Sequence, residues 1–225
     1  MKLVLFDVDG TLVDSQSIIV AAQQTTFAAH GLEPPSRERA LSIVGLSLAE
    51  AFVALAGPKA PIANLVATYK DVSVTLRRDP AHAEPLFPGA AECIETLHRR
   101  EDVLLGVATG NSQRGVARIL DNFGWHGVFA SIQTADDAPS KPHPAMILQA
   151  MRETGVAPHE TVMVGDSSFD MAMARAAGVL AIGVSWGFQP VSALIEAGAG
   201  LIVNSYAELE GTLQEFLDRP SQRSA

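Results

Sequence analysis

A chain of 225 residues that is 48% hydrophobic and 18% charged has apolar material for one large core with room for a small inserted unit. A formal charge of -9 disfavours a general nucleic-acid surface and gives no polybasic membrane patch, yet a metal ion and one Lys would invert that field locally for an anionic substrate. Cys93 is the one cysteine, so no internal disulfide forms, and Lys2 ahead of an apolar run that Asp7 interrupts is no secretory signal. No uninterrupted apolar run approaches a membrane span, and the expectation is a soluble cytoplasmic protein, monomer or homodimer.

Leu3 to Phe6 is too brief for a helix and reads as a buried parallel strand. It runs into Asp7-Val8-Asp9-Gly10-Thr11, where two acids at i, i+2 share one side of an extended chain and the Asp-Gly turn stops the strand. Crowded acids repel unless a cation or a proton separates them, and a hard divalent ion such as Mg²⁺ takes oxygen ligands. From Ser15 the pattern becomes helical. A helix capped by Asp14 or Ser15 runs to about His30 and stops at Gly31. A second follows Pro34-Pro35, a third begins near Ser47, and the clearest spans 61–78. There Ile62, Leu65, Val66, Tyr69, Val72 and Leu76 recur at helical spacing. Residues 15–86 read as a helical insert whose end is marked by Pro80, Pro85 and Pro88-Gly89.

Strands and helices then alternate. The spacing predicts a helix near 90–100, a strand over 103–108, a helix ending at Gly124 and a short strand over 128–132. A helix over 143–154, a strand over 161–165 and an Ala-rich helix over 168–177 come next. Strands over 179–184 and 201–203 precede a last helix that opens on the capping-box pattern Ser205-x-x-Glu208. The polar tail from Arg219 reads as frayed. The fold class is therefore α/β: a Rossmann-like parallel sheet with helices on both faces, from residues 1–14 and 87–225, carrying an α-helical cap of residues 15–86.

Three later strand ends deliver polar groups. Thr109-Gly110-Asn111-Ser112 offers a hydroxyl and free N–H groups at a helix start, which suits an anion and equally suits an ordinary βα turn. Lys141 stands between Pro139 and Pro142 on a stiff segment. Gly165-Asp166-Ser167-Ser168-Phe169-Asp170 closes a strand and opens a helix, where Asp166 is either a cap or a ligand and Asp170 complements the helix dipole. The histidines have no spacing that suits zinc.

In this order the four stretches, beginning with Asp7-Val8-Asp9-Gly10-Thr11-Leu12-Val13-Asp14-Ser15, resemble the four motifs of the haloacid dehalogenase-like hydrolases. The strings 165–178 and Ser185-Trp186-Gly187-Phe188 look most like the phosphoglycolate phosphatase-like branch. The resemblance implies a Mg²⁺-dependent phosphomonoester hydrolase acting on a small phosphorylated metabolite, phosphoglycolate first and inorganic pyrophosphate a close rival. A sugar phosphomutase and a non-catalytic phospho-ligand module rank lower. Asp7 would be the nucleophile, Asp9 the acid and base, and Thr109 and Lys141 the phosphate partners, with Gly10, Gly110 and Asn111 helping to bind the phosphate. Mg²⁺ would be held by Asp7, the backbone carbonyl of Asp9, Asp166, and Asp170 directly or through water. The cap stretch 42–48 resembles the loop that dips into the site, with Gly45 at its turn. It carries no Lys or Arg, and Arg77 and Arg78 at the far end of the cap are the basic groups that could compensate.

Overall fold

A computed structural model describes residues 1–220. The predicted polar tail lies outside the described residues beyond Pro220. Six parallel strands form one sheet: β1 (Lys2–Phe6), β2 (Val103–Ala108), β3 (Ser131–Gln133), β4 (Thr161–Gly165), β5 (Leu180–Val184) and β6 (Leu201–Val203), in the order β3-β2-β1-β4-β5-β6. Strand alternation divides the core in two. Val4, Phe6, Leu105, Val107, Val162 and Val164 point to one face, and Leu3, Leu5, Met163 and Ala181 to the other.

Helices cover both faces. On the first, α5 (Ala90–His98) supplies Cys93, Ile94 and Leu97, and α10 (Tyr206–Leu217) supplies Leu209, Leu213 and Phe216. On the second, α7 (Ala145–Thr154) supplies Met146, Ile147 and Ala150, and α8 (Ser168–Ala177) supplies Met171 and Ala174. The remaining core helices are α6 (Gln113–Phe123) and the short α9 (Val191–Ala197).

Between β1 and α5 lie α1 (Gln16–Ala29), α2 (Arg37–Ser42), α3 (Leu48–Ala56) and α4 (Ile62–Leu76). They bury Phe27, Phe52, Leu55 and Leu65 in a small core of their own. The outgoing and returning chains pair at its base: Asp14 N–H donates to the Pro85 carbonyl (2.8 Å) and Phe87 N–H to the Leu12 carbonyl (3.0 Å). Among the described residues no helix is long and apolar enough to cross a membrane.

Several sequence expectations shift. The strand expected over 128–132 is Ser131–Gln133, because pairing of Ser131 with Gly106 sets where the ladder begins, while Phe129 buries as a loop residue. Helix α9, seven residues long, is too short to show a period and was not expected. The helix expected over 143–154 begins at Ala145, after Pro144. Ser15 occupies the N-cap of α1 without a side-chain cap bond. At α10, Ser205 Oγ accepts from Glu208 N–H, but the Glu208 carboxylate turns to Asn204 N–H, so only half of the expected box forms. The complete capping box is at α8, where Ser167, not Asp166, is the cap and Asp170 closes it.

Candidate active site

The winding of the sheet sets the position of the site. The chain passes outward from β1 through β2 to β3, then returns to β4 on the opposite side of β1. The carboxyl ends of β1, β2 and β4 flank the reversal, where the loops part and leave a crevice. Asp7 follows β1, Thr109 follows β2 and Asp166 follows β4. Lys141 arrives on the loop between β3 and α7.

Lys141 is fully buried, with Nζ 2.9 Å from Asp7 Oδ1 and 2.6 Å from Asp170 Oδ1. Carboxylate oxygens of Asp7, Asp166 and Asp170 all lie within 4.8 Å of one another. Asp7 Oδ2 is buried without a hydrogen-bond partner. Asp166 accepts from Thr11 Oγ1 (3.3 Å) and from Phe188 N–H (2.8 Å). Burial pushes the Asp7 carboxyl up to about 7, against the pull of Lys141 and with a further push from Asp170. Burial, then Asp7 and Asp170, hold the Asp166 carboxyl well above the usual range. Burial opposes the charge on Lys141, but Asp170 and Asp7 together outweigh it and raise its pKa. Three buried acids against one ammonium leave negative charge without a counter-ion. All the donors are hard oxygens, so the group fits a divalent cation.

Asp9 stands apart from these three. Its carboxylate accepts from Asn111 Nδ2 (3.1 Å). Burial raises its pKa and the nearby Glu84 raises it further, while the Asn111 bond and Arg118 oppose them. Thr109 is buried, and its Oγ1 accepts from Asn111 N–H (3.2 Å). Gly10 has φ +87, and a Cβ there would collide with the Asp166 carboxylate.

The helical insert covers this crevice. A Cβ on Gly110 would lie 2.5 Å from the carbonyl oxygens of Gly45 and Leu46, so the turn after β2 and the loop after α2 meet backbone to backbone. Gly45, with φ +107, rests over Ser167 and Phe169. Ser47 N–H donates to Ser140 Oγ (2.8 Å), one residue before Lys141. Arg77 Nε is held by Glu84 (3.0 Å), which also binds Arg118 on α6, and Arg78 is exposed. Sequence reasoning missed the Lys141–Asp170 pair, the Glu84 bridge and Gln189. Each joins positions with no shared local pattern.

A pH dependence follows for the metal-free protein. The Asp7 pKa is raised on folding from its ordinary 3.8 to about 7, so across that interval the native state holds a proton that the unfolded chain has lost. Stability is then expected to fall as pH rises through the interval and to level off above it. Thermal melts of chelator-treated protein should show this fall, and Mg²⁺ should raise the melting temperature more at pH 8 than at pH 5.

The fold and site define an α/β enzyme whose crevice, at the reversal of the sheet, gathers three buried carboxylates around one buried ammonium. The family model described as haloacid dehalogenase-like hydrolase matches residues 4–184. A probable phosphatase of Dickeya dadantii, IndB, is 33% identical over 96% of this chain and 94% of its own. A phosphoglycolate phosphatase of Agrobacterium fabrum is 31% identical over 96% of this chain and 93% of its own. The crystal structure of a hydrolase from Pseudomonas syringae superposes with a TM-score of 0.84 at 26% identity, over 95% of this chain and 98% of that one. The chain belongs to the haloacid dehalogenase-like hydrolases and is a phosphatase of that family.

Proposed function

We propose that the protein is a Mg²⁺-dependent phosphomonoester hydrolase for a small phosphorylated metabolite in the cytoplasm, with phosphoglycolate the preferred substrate. The observation that carries the reading is the separation of two acids: Asp7 is buried against Lys141 with Oδ2 unpartnered, and Asp9 is held aside by Asn111. The free oxygen of Asp7 attacks phosphorus in line, forming the aspartyl-phosphate as the P–O bond to the leaving group breaks. Asp9, with its pKa raised, protonates the leaving oxygen and then takes a proton from the water that cleaves the intermediate. Lys141, the Thr109 hydroxyl and the backbone around Gly10, Gly110 and Asn111 hold the phosphoryl oxygens. Asp7, the Asp9 carbonyl, Asp166 and Asp170, the last directly or through water, would hold Mg²⁺, which supplies charge neutralisation when bound.

The name of the Agrobacterium relative supports phosphoglycolate. A sugar phosphomutase must grip a second phosphate, and the 42–48 loop has no cation while Arg77 is engaged by Glu84. The test is phosphate release from a panel of phosphometabolites and inorganic pyrophosphate, with Mg²⁺ and with a chelator. Phosphoglycolate should give the highest kcat/KM, and a higher value for pyrophosphate would reassign the substrate. In the same assay Asp9→Asn should lower kcat/KM, which reports transfer to Asp7 and not the later hydrolysis, by about 10²–10⁴-fold for a substrate with a poor leaving group. The loss should be smaller for p-nitrophenyl phosphate, whose leaving group needs no proton. Equal losses for both would remove the leaving-group acid role from Asp9.

A further inference from the structure

The segment after β5 touches both the turn that carries Asp166 and the helical insert. The backbone of Gly187 passes against Asp166, with no room for a Cβ. Phe188 N–H donates to Asp166 Oδ2 (2.8 Å), while Phe188 packs against the cluster of Val20, Ala40 and Leu41 in the helical insert. Gln189, 8% exposed, uses both ends of its amide. Its Oε1 accepts from Ser168 N–H (2.9 Å) at the start of α8, and its Nε2 donates to the Ser42 carbonyl (3.0 Å) at the end of α2.

We propose that Gln189 is a positioning residue that locks the closed cap loop to the turn carrying Asp166 and Asp170. A buried amide with both ends satisfied has one favoured geometry, because moving either partner strands a polar group. If the cap loop lifts, the Ser42 carbonyl and Gln189 Nε2 part. If the Asp166 turn relaxes, Ser168 N–H and Gln189 Oε1 part. Closure of the cap and order in the metal-binding turn therefore reinforce one another, and the coupling is reciprocal. The proposal rests on the phosphatase reading only for its kinetic consequence.

The experiment compares wild type with Gln189→Met, which keeps the bulk and removes both bonds. A second variant, Gln189→Glu, keeps an acceptor for Ser168 N–H and removes the donor to Ser42. Amide hydrogen exchange is followed over the peptide 42–47, without ligand and with Mg²⁺ plus inorganic phosphate, and Mg²⁺ affinity is measured by calorimetry. Wild type should gain protection in this peptide on ligand addition. Gln189→Met should lose about three- to tenfold of that protection and bind Mg²⁺ more weakly by a similar factor, the scale of one or two hydrogen bonds. Gln189→Glu should lose the cap-loop protection as well. Wild-type exchange and wild-type Mg²⁺ affinity in Gln189→Met would overturn the proposal, as would full cap-loop protection in Gln189→Glu. On an accepted substrate, Gln189→Met should raise KM more than it lowers kcat. If wild type releases phosphate from nothing, the phosphatase reading fails, and the exchange and calorimetry still decide the role of Gln189.

Discussion

Replacing Asp7 with Asn is expected to lower kcat by on the order of 10⁴-fold or more while leaving the protein folded. The amide that replaces the unpartnered Oδ2 has no charge and is a poor nucleophile, so the proposed aspartyl-phosphate would not form. The fold should tolerate the change, since Lys141 keeps Asp170 at 2.6 Å and one of three mutually repelling acids is gone. Above about pH 7, where Asp7 ionises in the native state, the metal-free variant should melt no lower than metal-free wild type. Steady-state kinetics and thermal melts on the same preparations check both halves. Retention of full activity would show that Asp7 is not the nucleophile.

The second large effect is on stability. Lys141→Met is expected to destabilise the metal-free protein by about 3–5 kcal/mol, because it leaves buried carboxylates without the ammonium that compensates them. For a chain of this size that corresponds to a fall in melting temperature of roughly 6–20 °C. Mg²⁺ should recover part of the loss by bringing charge back to the cluster, and activity should stay low because no ammonium faces the phosphoryl oxygens. The check is a melt of variant and wild type, each with chelator and with Mg²⁺. An unchanged melting temperature in chelator would mean that the pair contributes nothing to folding.

The elements that nearest neighbours specify were legible in the chain. β4 reads directly from Thr161-Val162-Met163-Val164-Gly165, and α4 from the spacing of Leu65, Val66 and Tyr69. The four polar stretches were legible too: three sit where a strand period gives way to a turn, and Lys141, on the loop between β3 and α7, stands out by its flanking prolines. The β3 boundary and α9 were not, since one depends on the partner strand and the other is too short for a period.

What the sequence by itself determined was the class of fold, the order of its elements and which residue types stand at the strand ends. Periodicity, turn chemistry and capping act over a few residues, and these features depend on little else. The tertiary structure alone decided how those residues meet. It turned Asp9 aside to Asn111, 102 positions away, and paired Lys141 with Asp170 across 29. It also tied Gln189 to Ser42 across 147. Contacts at such separations follow from where the sheet reverses and how the cap packs on it, and burial then sets the charge of each group. No local pattern encodes that, because the partners become neighbours only once the chain is folded.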